Sequence, residues 1–324
     1  MIKLDLFDKK ILEVLLANSR VQVTGIAKKI RLRRENVNYR INRLMKLGLI
    51  REFNTIFNER KLGLHHYVVF LELVKLKQGS EQKILDYLSE HRFMTWVGTS
   101  AGKWSLVFDV IVPENIQLDK ILNDLLATFG EFMGDYVVLK LLSGDYLLSK
   151  LFGDTKHKRF HNGKFSAPNL DKNDFEILSS LNKNSRESLV AISKIVSLTP
   201  NGINNRIKNL EKNGIISGYS ISIDWKKLGY ELYDIQLKLI RFGEEIDNKL
   251  INYFYERKSI VFYYRYLGGR WDYDIGLVVK NSNELREFIN EFRKFFSDIA
   301  KISDVFITLE EITGNKLPKG TLIR

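Results

Sequence analysis

The sequence predicts an α+β chain of two tandem units, each made of three short helices followed by a βαββαβ antiparallel sheet module. Residues 4–73 overlie residues 170–239 without a gap, and 25 of those 70 pairs are identical. In each copy, apolar residues first recur at helical spacing and then run or alternate as in strands. Glycines punctuate both copies at matching places, Gly48 and Gly63 in the first, Gly214 and Gly229 in the second. A repeat of 166 residues is too long for a stacked solenoid, so each copy can hold complete domains. The length, 324 residues, also exceeds what a single hydrophobic core usually organises.

The first helix opens at Asp5, a good N-cap, with Asp8 in the first turn. Phe7, Ile11, Val14 and Leu15 share one face, and Asn18-Ser19 ends the pattern. A second helix over 23–30 turns Ile26 and Ile30 inward, and the polar turn Arg31-Leu32-Arg33 leads to a third helix over 34–47. The second copy gives helices at 171–182, 189–196 and 200–213, the last with Thr199 as N-cap and Pro200 in its first position. Gly48 and Gly214 close the third helices. Three short helices with a tight turn before the third form a helix-turn-helix. The alternating stretches 50–56 and 216–221 suit a small hairpin wing beside each.

The sheet modules follow. In the first copy the pattern gives strand 65–75, helix 81–90, a strand to Gly98, strand 103–112, helix 114–129 and strand 135–142. The second gives strand 231–241, helix 244–257, strands 260–267 and 271–280, helix 283–299 and strand 303–311. This is the ferredoxin-like order, in which one sheet face is buried under helices and the other is left for pairing or ligands. The expected domains are therefore 1–62 and 170–229 for the helix-turn-helices, and 63–148 and 230–324 for the sheets. Residues 149–169, polar and basic and ending in Pro168-Asn169, read as a linker. Its length lets the two sheet modules meet as an internal pseudo-dimer.

The third helices carry the candidate binding residues. Val37, Ile41 and Leu44 face inward in one, Ile203, Ile207 and Leu210 in the other. The opposite face of the first presents Glu35, Tyr39, Asn42, Arg43 and Lys46, with Arg33, Arg34, Asn36, Asn38 and Arg40 at its start and flanks. The second presents Asn201, Asn205, Lys208, Asn209 and Lys212, with Thr199, Asn204 and Arg206 beside them. Asparagine can bond an adenine edge in the major groove and arginine a guanine edge, while lysine and flanking arginines suit phosphates. Any amphipathic helix has a polar outer face, but these are rich in Asn, Arg and Lys and poor in acids.

Charge agrees. The chain carries a formal +12 with pI near 9.5, which suits a polyanionic partner. Residues 1–60 hold 14 Lys and Arg against 6 Asp and Glu, and residues 170–227 hold 9 against 6, so the first head is the more basic. With no cysteine, disulfides and thiolate metal sites are excluded, and the five histidines show no metal-ligand spacing, so neither metal nor cofactor is expected. No apolar run reaches the ~18–20 residues that cross a bilayer, and MIKLDLFDKK has no signal pattern, so a cytoplasmic location is expected. Gly98-x-x-x-Gly102 and Gly268-Gly269 are too sparse for a phosphate loop, and no nucleophile–base pattern appears, so no catalytic residue is assigned.

Certain residues carry a family resemblance: the leading Leu-Asp of each copy, Asn-Ser-Arg before the second helix, Arg-Ile-x-x-Leu in the third, then Gly-x-Ile, and Lys-Leu-Gly before the sheet module. On these the chain resembles the leucine-responsive/AsnC (feast/famine) transcription regulators, twice over and along nearly its whole length. The resemblance implies a regulator of transcription that binds double-stranded DNA. It also implies sheet modules that dimerise, assemble further and bind a small effector such as an amino acid. The family's Gly-x-aromatic-Asp turn near the effector site is matched by Gly269-Arg270-Trp271-Asp272, whereas Gly102-Lys103-Trp104-Ser105 has serine in place of the acid. Two alternatives share the architecture. One is a siroheme-decarboxylase-like tetrapyrrole enzyme, to which Tyr263, Tyr264, Arg265 and Tyr266 would be offered; the other is an interaction module that does not bind DNA.

Overall fold

The computed structural model describes residues 1–153, 169–267, 269–314 and 316–321. Most of the expected linker, 149–169, and Gly268 lie outside the described residues. Unit one runs α1 Leu6–Ala17, α2 Val23–Ile30, α3 Arg34–Lys46, β1 Ile50–Phe57, β2 His65–Leu73, α4 Ser80–Glu90, β3 Met94–Ala101, β4 Leu106–Val112, α5 Asn115–Phe129 and β5 Met133–Tyr146. Unit two repeats it as α6 Lys172–Lys183, α7 Leu189–Val196, α8 Pro200–Lys212, β6 Ile216–Ile223, β7 Glu231–Leu239, α9 Glu244–Glu256, β8 Ile260–Leu267, β9 Tyr273–Val279, α10 Ser282–Phe296 and β10 Ala300–Gly314.

Local signals set the helix ends. The Asp5 carboxylate accepts from the Asp8 amide, and Asp8 returns a bond to the Asp5 amide; Asp171 and Asp174 repeat this capping box on α6. After α3, Gly48 takes φ 68° while its N–H bonds Met45 and the N–H of Leu49 bonds Leu44, a turn that a side chain would strain. Gly214 does the same after α8. The inward triplets Val37, Ile41, Leu44 and Ile203, Ile207, Leu210 are buried.

The expected wings do not form as hairpins. β1 pairs antiparallel with β6, from Phe53 opposite Ile221 to Ile56 opposite Gly218, so each head lends its single strand to the other. The reason is local: a 3₁₀ turn at Glu59–Leu62, closed by left-handed Gly63, follows β1 directly, so no second wing strand is available within the head. Equivalent atoms meet across this joint. Ser19 and Ser185 hydroxyls lie 2.6 Å apart, and the amides of Ser19 and Ser185 donate to the carbonyls of Tyr219 and Phe53. Each head then packs on the other unit's elements. The α1–α3 core takes in Ile221, Ile223, Trp225, Val261 and Val278, while the α6–α8 core takes in Phe57, Leu62, Leu64 and Ile111.

Each sheet module has the 4-1-3-2 strand order expected of βαββαβ, and the last strand of each pairs with the second strand of the other. The result is a closed barrel, β10-β3-β4-β2-β5-β8-β9-β7, which leaves its strands no open edge. Helices α4, α5, α9 and α10 cover the outside, and Phe70, Trp104, Trp271 and Phe306 fill part of the inside.

Candidate nucleic-acid interface

On α3, one row of side chains is exposed and has no hydrogen bond or ion pair among the described residues: Arg33, Arg34, Asn36, Asn38, Tyr39, Asn42 and Lys46. Tyr39 is 68% exposed, an aromatic ring held in solvent on a helix surface. On α8 the matching row is Asn201, Asn205, Lys208, Asn209 and Lys212, with Asn204 half-buried. Thr199 spends its hydroxyl on the Gly202 amide, 3.1 Å away, as an N-cap. In α3 the cap position is Arg33, which makes no side-chain cap bond.

Three arginines expected at the DNA are held inside the heads instead. Arg40 Nη1 lies 2.6 Å from Asp5 Oδ2 and 2.8 Å from Asp8 Oδ1, and its guanidinium sits over the Phe7 ring. Arg43 Nη2 lies 2.6 Å from Asp8 Oδ2. Arg206 makes the same pair of 2.8 Å bonds to Asp171 and Asp174. Burial opposes the Arg40 charge, but the two carboxylates outweigh it and raise the guanidinium's pKa. The Asp8 amide, and after it Arg40, hold the Asp5 carboxyl below the usual carboxylate range. These arginines lock the third helix to the first and so set the angle at which the outer face is presented. Conversely, exposed Lys28 and Lys29 at the end of α2 join Arg31 and Arg33 at one corner of head one, and reasoning confined to the third helix passed over them. Their signal was in the repeat, because the second copy has Lys194 and Ile195 there.

The residues expected at an effector site lie in the barrel interior and at the turns leading into it. Trp104 and Trp271 are 1% and 0% exposed and cross at 5.8 Å and 90° inside the barrel. Trp271 Nε1 donates to Asp304, and Phe70 packs edge-on against the Trp271 ring at 4.9 Å. Gly269 and Gly102 form the turns before the tryptophans, at φ 119° and 139°. Asp272 accepts the Leu239 amide at 2.8 Å and pairs with Lys238. Ser105, its counterpart, accepts the Leu73 amide at 3.0 Å. The serine thus shares the acid's job of closing a strand end, while the pairing with Lys238 is made in the second copy by Asp272.

Three buried carboxyls also stand in the barrel interior. Asp234, paired with the Thr308 hydroxyl at 2.5 Å, is pushed up to about 7 by burial. Burial also holds Asp274, which accepts from the Tyr266 hydroxyl, well above the carboxylate range. Asp109 faces His66 at 3.4 Å. Of the strand β8 residues, Tyr264 and Tyr266 join the interior cluster, whereas Arg265 is bound to Asp247 at 2.9 Å beneath α9. Among the described residues no group of three or more His, Asp or Glu is arranged to hold a metal ion, and no helix is long and apolar enough to cross a membrane.

Known proteins sharpen this picture. A family model described as winged helix-turn-helix DNA-binding matches twice, at 4–51 and 170–217, which are the two heads. An uncharacterised HTH-type transcriptional regulator of Pyrococcus furiosus is 34% identical over 145 residues, covering 93% of that protein and 44% of this chain. The HTH-type transcriptional regulator LrpA of Pyrococcus abyssi is 42% identical over 66 residues, 47% of its length and 20% of this chain. This chain belongs to the leucine-responsive/AsnC family. It does so with two family units in one polypeptide, since the Pyrococcus furiosus relative is spanned by less than half of it. Among solved structures, the siroheme decarboxylase NirDL superposes with TM-score 0.64 over 97% of this chain and 94% of its own, at 13% identity. At that identity the likeness is one of fold, and it shows that the two-unit arrangement recurs.

Proposed function

We propose that this leucine-responsive/AsnC family member is a sequence-specific regulator of transcription that sets both helix-turn-helix heads on one DNA duplex. One observation carries the reading: two outward rows of Asn, Lys and Arg side chains, free of partners among the described residues, stand on helices locked in place by Arg40, Arg43 and Arg206. Unsatisfied donors on a rigid helix are what base edges and phosphates require. Asn38, Tyr39 and Asn42 in head one, and Asn201, Asn205 and Asn209 in head two, read bases. Arg33, Arg34, Lys46, Lys208 and Lys212 hold phosphates. Work on the chromosome puts the chain in the cytoplasm. The β1–β6 pairing holds the two heads together, so in this reading a single chain supplies both.

The enzymatic alternative is not favoured. A tetrapyrrole bearing several carboxylates needs cations in its pocket, whereas Asp109, Asp234 and Asp274 stand inside this barrel, His66 there faces Asp109, and Arg265 is committed to Asp247. Mixing the protein with siroheme should leave the pigment's absorbance unchanged, and a saturable spectral shift would reopen that reading. The DNA-binding reading is tested by selecting binding sequences from a random duplex pool. Asn42→Ala should change the preferred base at one position by about 1–3 kcal/mol of discrimination while retaining the fold. An unchanged preference for every substituted outward residue would count against it.

A further inference from the structure

We propose that the chain lies on its duplex in one fixed direction, with head one as the electrostatic anchor and head two as a less basic reader, so that the operator is asymmetric. This rests on the DNA-binding reading above. The joint between the heads is close to symmetric, so it offers equivalent surfaces of the two heads to the duplex and any difference between those surfaces is read directly. Compared position by position, the corners differ sharply. Head one exposes Lys28, Lys29, Arg31, Arg33 and Arg34, and none of them has an ion-pair partner among the described residues. At the same places head two exposes Lys194, Ile195, Ser197, Thr199 and Pro200. Four of five cations are gone, and Ile195 stands 57% exposed where Lys29 is in head one.

The outer rows differ too. Tyr39 of head one faces Asn205 of head two across the repeat, and Asn42 faces Lys208. Asn42 can bond an adenine edge where Lys208 holds a phosphate, and Tyr39 stands where Asn205 reads a base, so the two half-sites differ in sequence as well as in grip. A symmetric dimer of identical heads reads an inverted repeat. These heads are not identical, and an inverted repeat would leave one of them on the wrong half-site.

The chain has no cysteine, so a single introduced one can carry a DNA-cleaving reagent. Thr24 and Val190 are equivalent and both exposed. Thr24→Cys and Val190→Cys, each bound as the full chain to a duplex selected by the wild-type chain from a random pool, should cut opposite halves of the footprint. Even cutting of both halves from either position would overturn the fixed direction and leave DNA binding intact. A second measurement addresses the anchor. The variant K28Q/K29Q/R33Q/R34Q should flatten the log–log salt dependence of binding by about 3–4 units, against about 1 for Lys194→Gln. Equal flattening by the two variants would remove the anchor. If wild-type protein fails to bind any duplex in dilute salt, the DNA-binding reading itself falls, and that result is distinct from even cutting.

Discussion

The two places where the units join are built on opposite plans. At the heads, like meets like: Ser19 touches Ser185, the amide of Asn58 bonds Ile215 as that of Asp224 bonds Leu49, and Arg20 stacks on Tyr219 as Arg186 stacks on Phe53. In the barrel, unlike meets unlike. Val68, Phe70, Val107 and Leu141 of unit one stand where unit two has Asp234, Gln236, Asp274 and Thr308. One unit brings an apolar inner wall and the other a polar one, with Asp109 and His66 as unit one's exceptions. Two copies of unit two would set four such carboxylates against each other with no added cation, at a desolvation cost of several kcal/mol. The difference teaches that symmetry survives where it fixes the spacing of the heads, and is lost where packing can tell one unit from the other. Closure within one chain is thereby favoured over pairing of identical units.

Separating the units should break the comparison most visibly. As separate chains, 1–153 and 169–324 should associate with each other, whereas 169–324 alone should self-associate poorly at neutral pH. Analytical ultracentrifugation decides this, and self-association of 169–324 as strong as the mixed pair would sink the idea. Next comes the lock between first and third helices, repeated in both heads but unequally buried. Asp8 is 1% exposed at its side chain and Asp174 16%. Arg40→Ala should therefore cost about 2 kcal/mol of unfolding free energy, less than full loss of a buried pair because Arg43 still reaches Asp8. Arg206→Ala should cost below about 1 kcal/mol. Thermal melts of both variants settle it, and equal costs would contradict the burial argument.

The last effect concerns pH. Asp234 and Asp274 titrate higher in the folded chain than the ordinary carboxylate value near 4. Between that value and the raised one, the native state binds more protons than the unfolded chain. Stability from this pair is therefore complete in acid and declines as pH rises through about 7. Asp274→Asn should stabilise the protein by about 1 kcal/mol at pH near 8 and little at pH near 4. A pH-independent effect would show that the carboxyl does not titrate in this way.

Much of this was legible in the residues. Helix ends came from caps at Asp5, Asp171 and Thr199 and from Gly48 and Gly214, because these signals act within a few residues. Both sheet orders followed from strand-length apolar runs between amphipathic helices. What escaped was non-local. Ile50–Phe57 carries the same alternation whether it folds back into a hairpin or crosses to the other head, and only the turn at Glu59–Leu62 decides. Arg40 sits beside Ile41 at the border of the buried stripe, and sequence spacing does not reveal that Asp5 and Asp8 of α1 come within reach of it. Trp104 and Trp271 look local in the sequence, each beside its own glycine turn, and only barrel closure, which brings residues 167 apart into one core, makes them neighbours.

The central claim is that a single chain sets both heads on one duplex. Titrating the full-length protein into a fluorescently labelled duplex from the selected pool, at low salt and at concentrations well above the dissociation constant, measures the stoichiometry. One chain per duplex, with affinity falling steeply as salt rises, is the expected result. Saturation at two chains per duplex, or no binding to any duplex in dilute buffer, would contradict it.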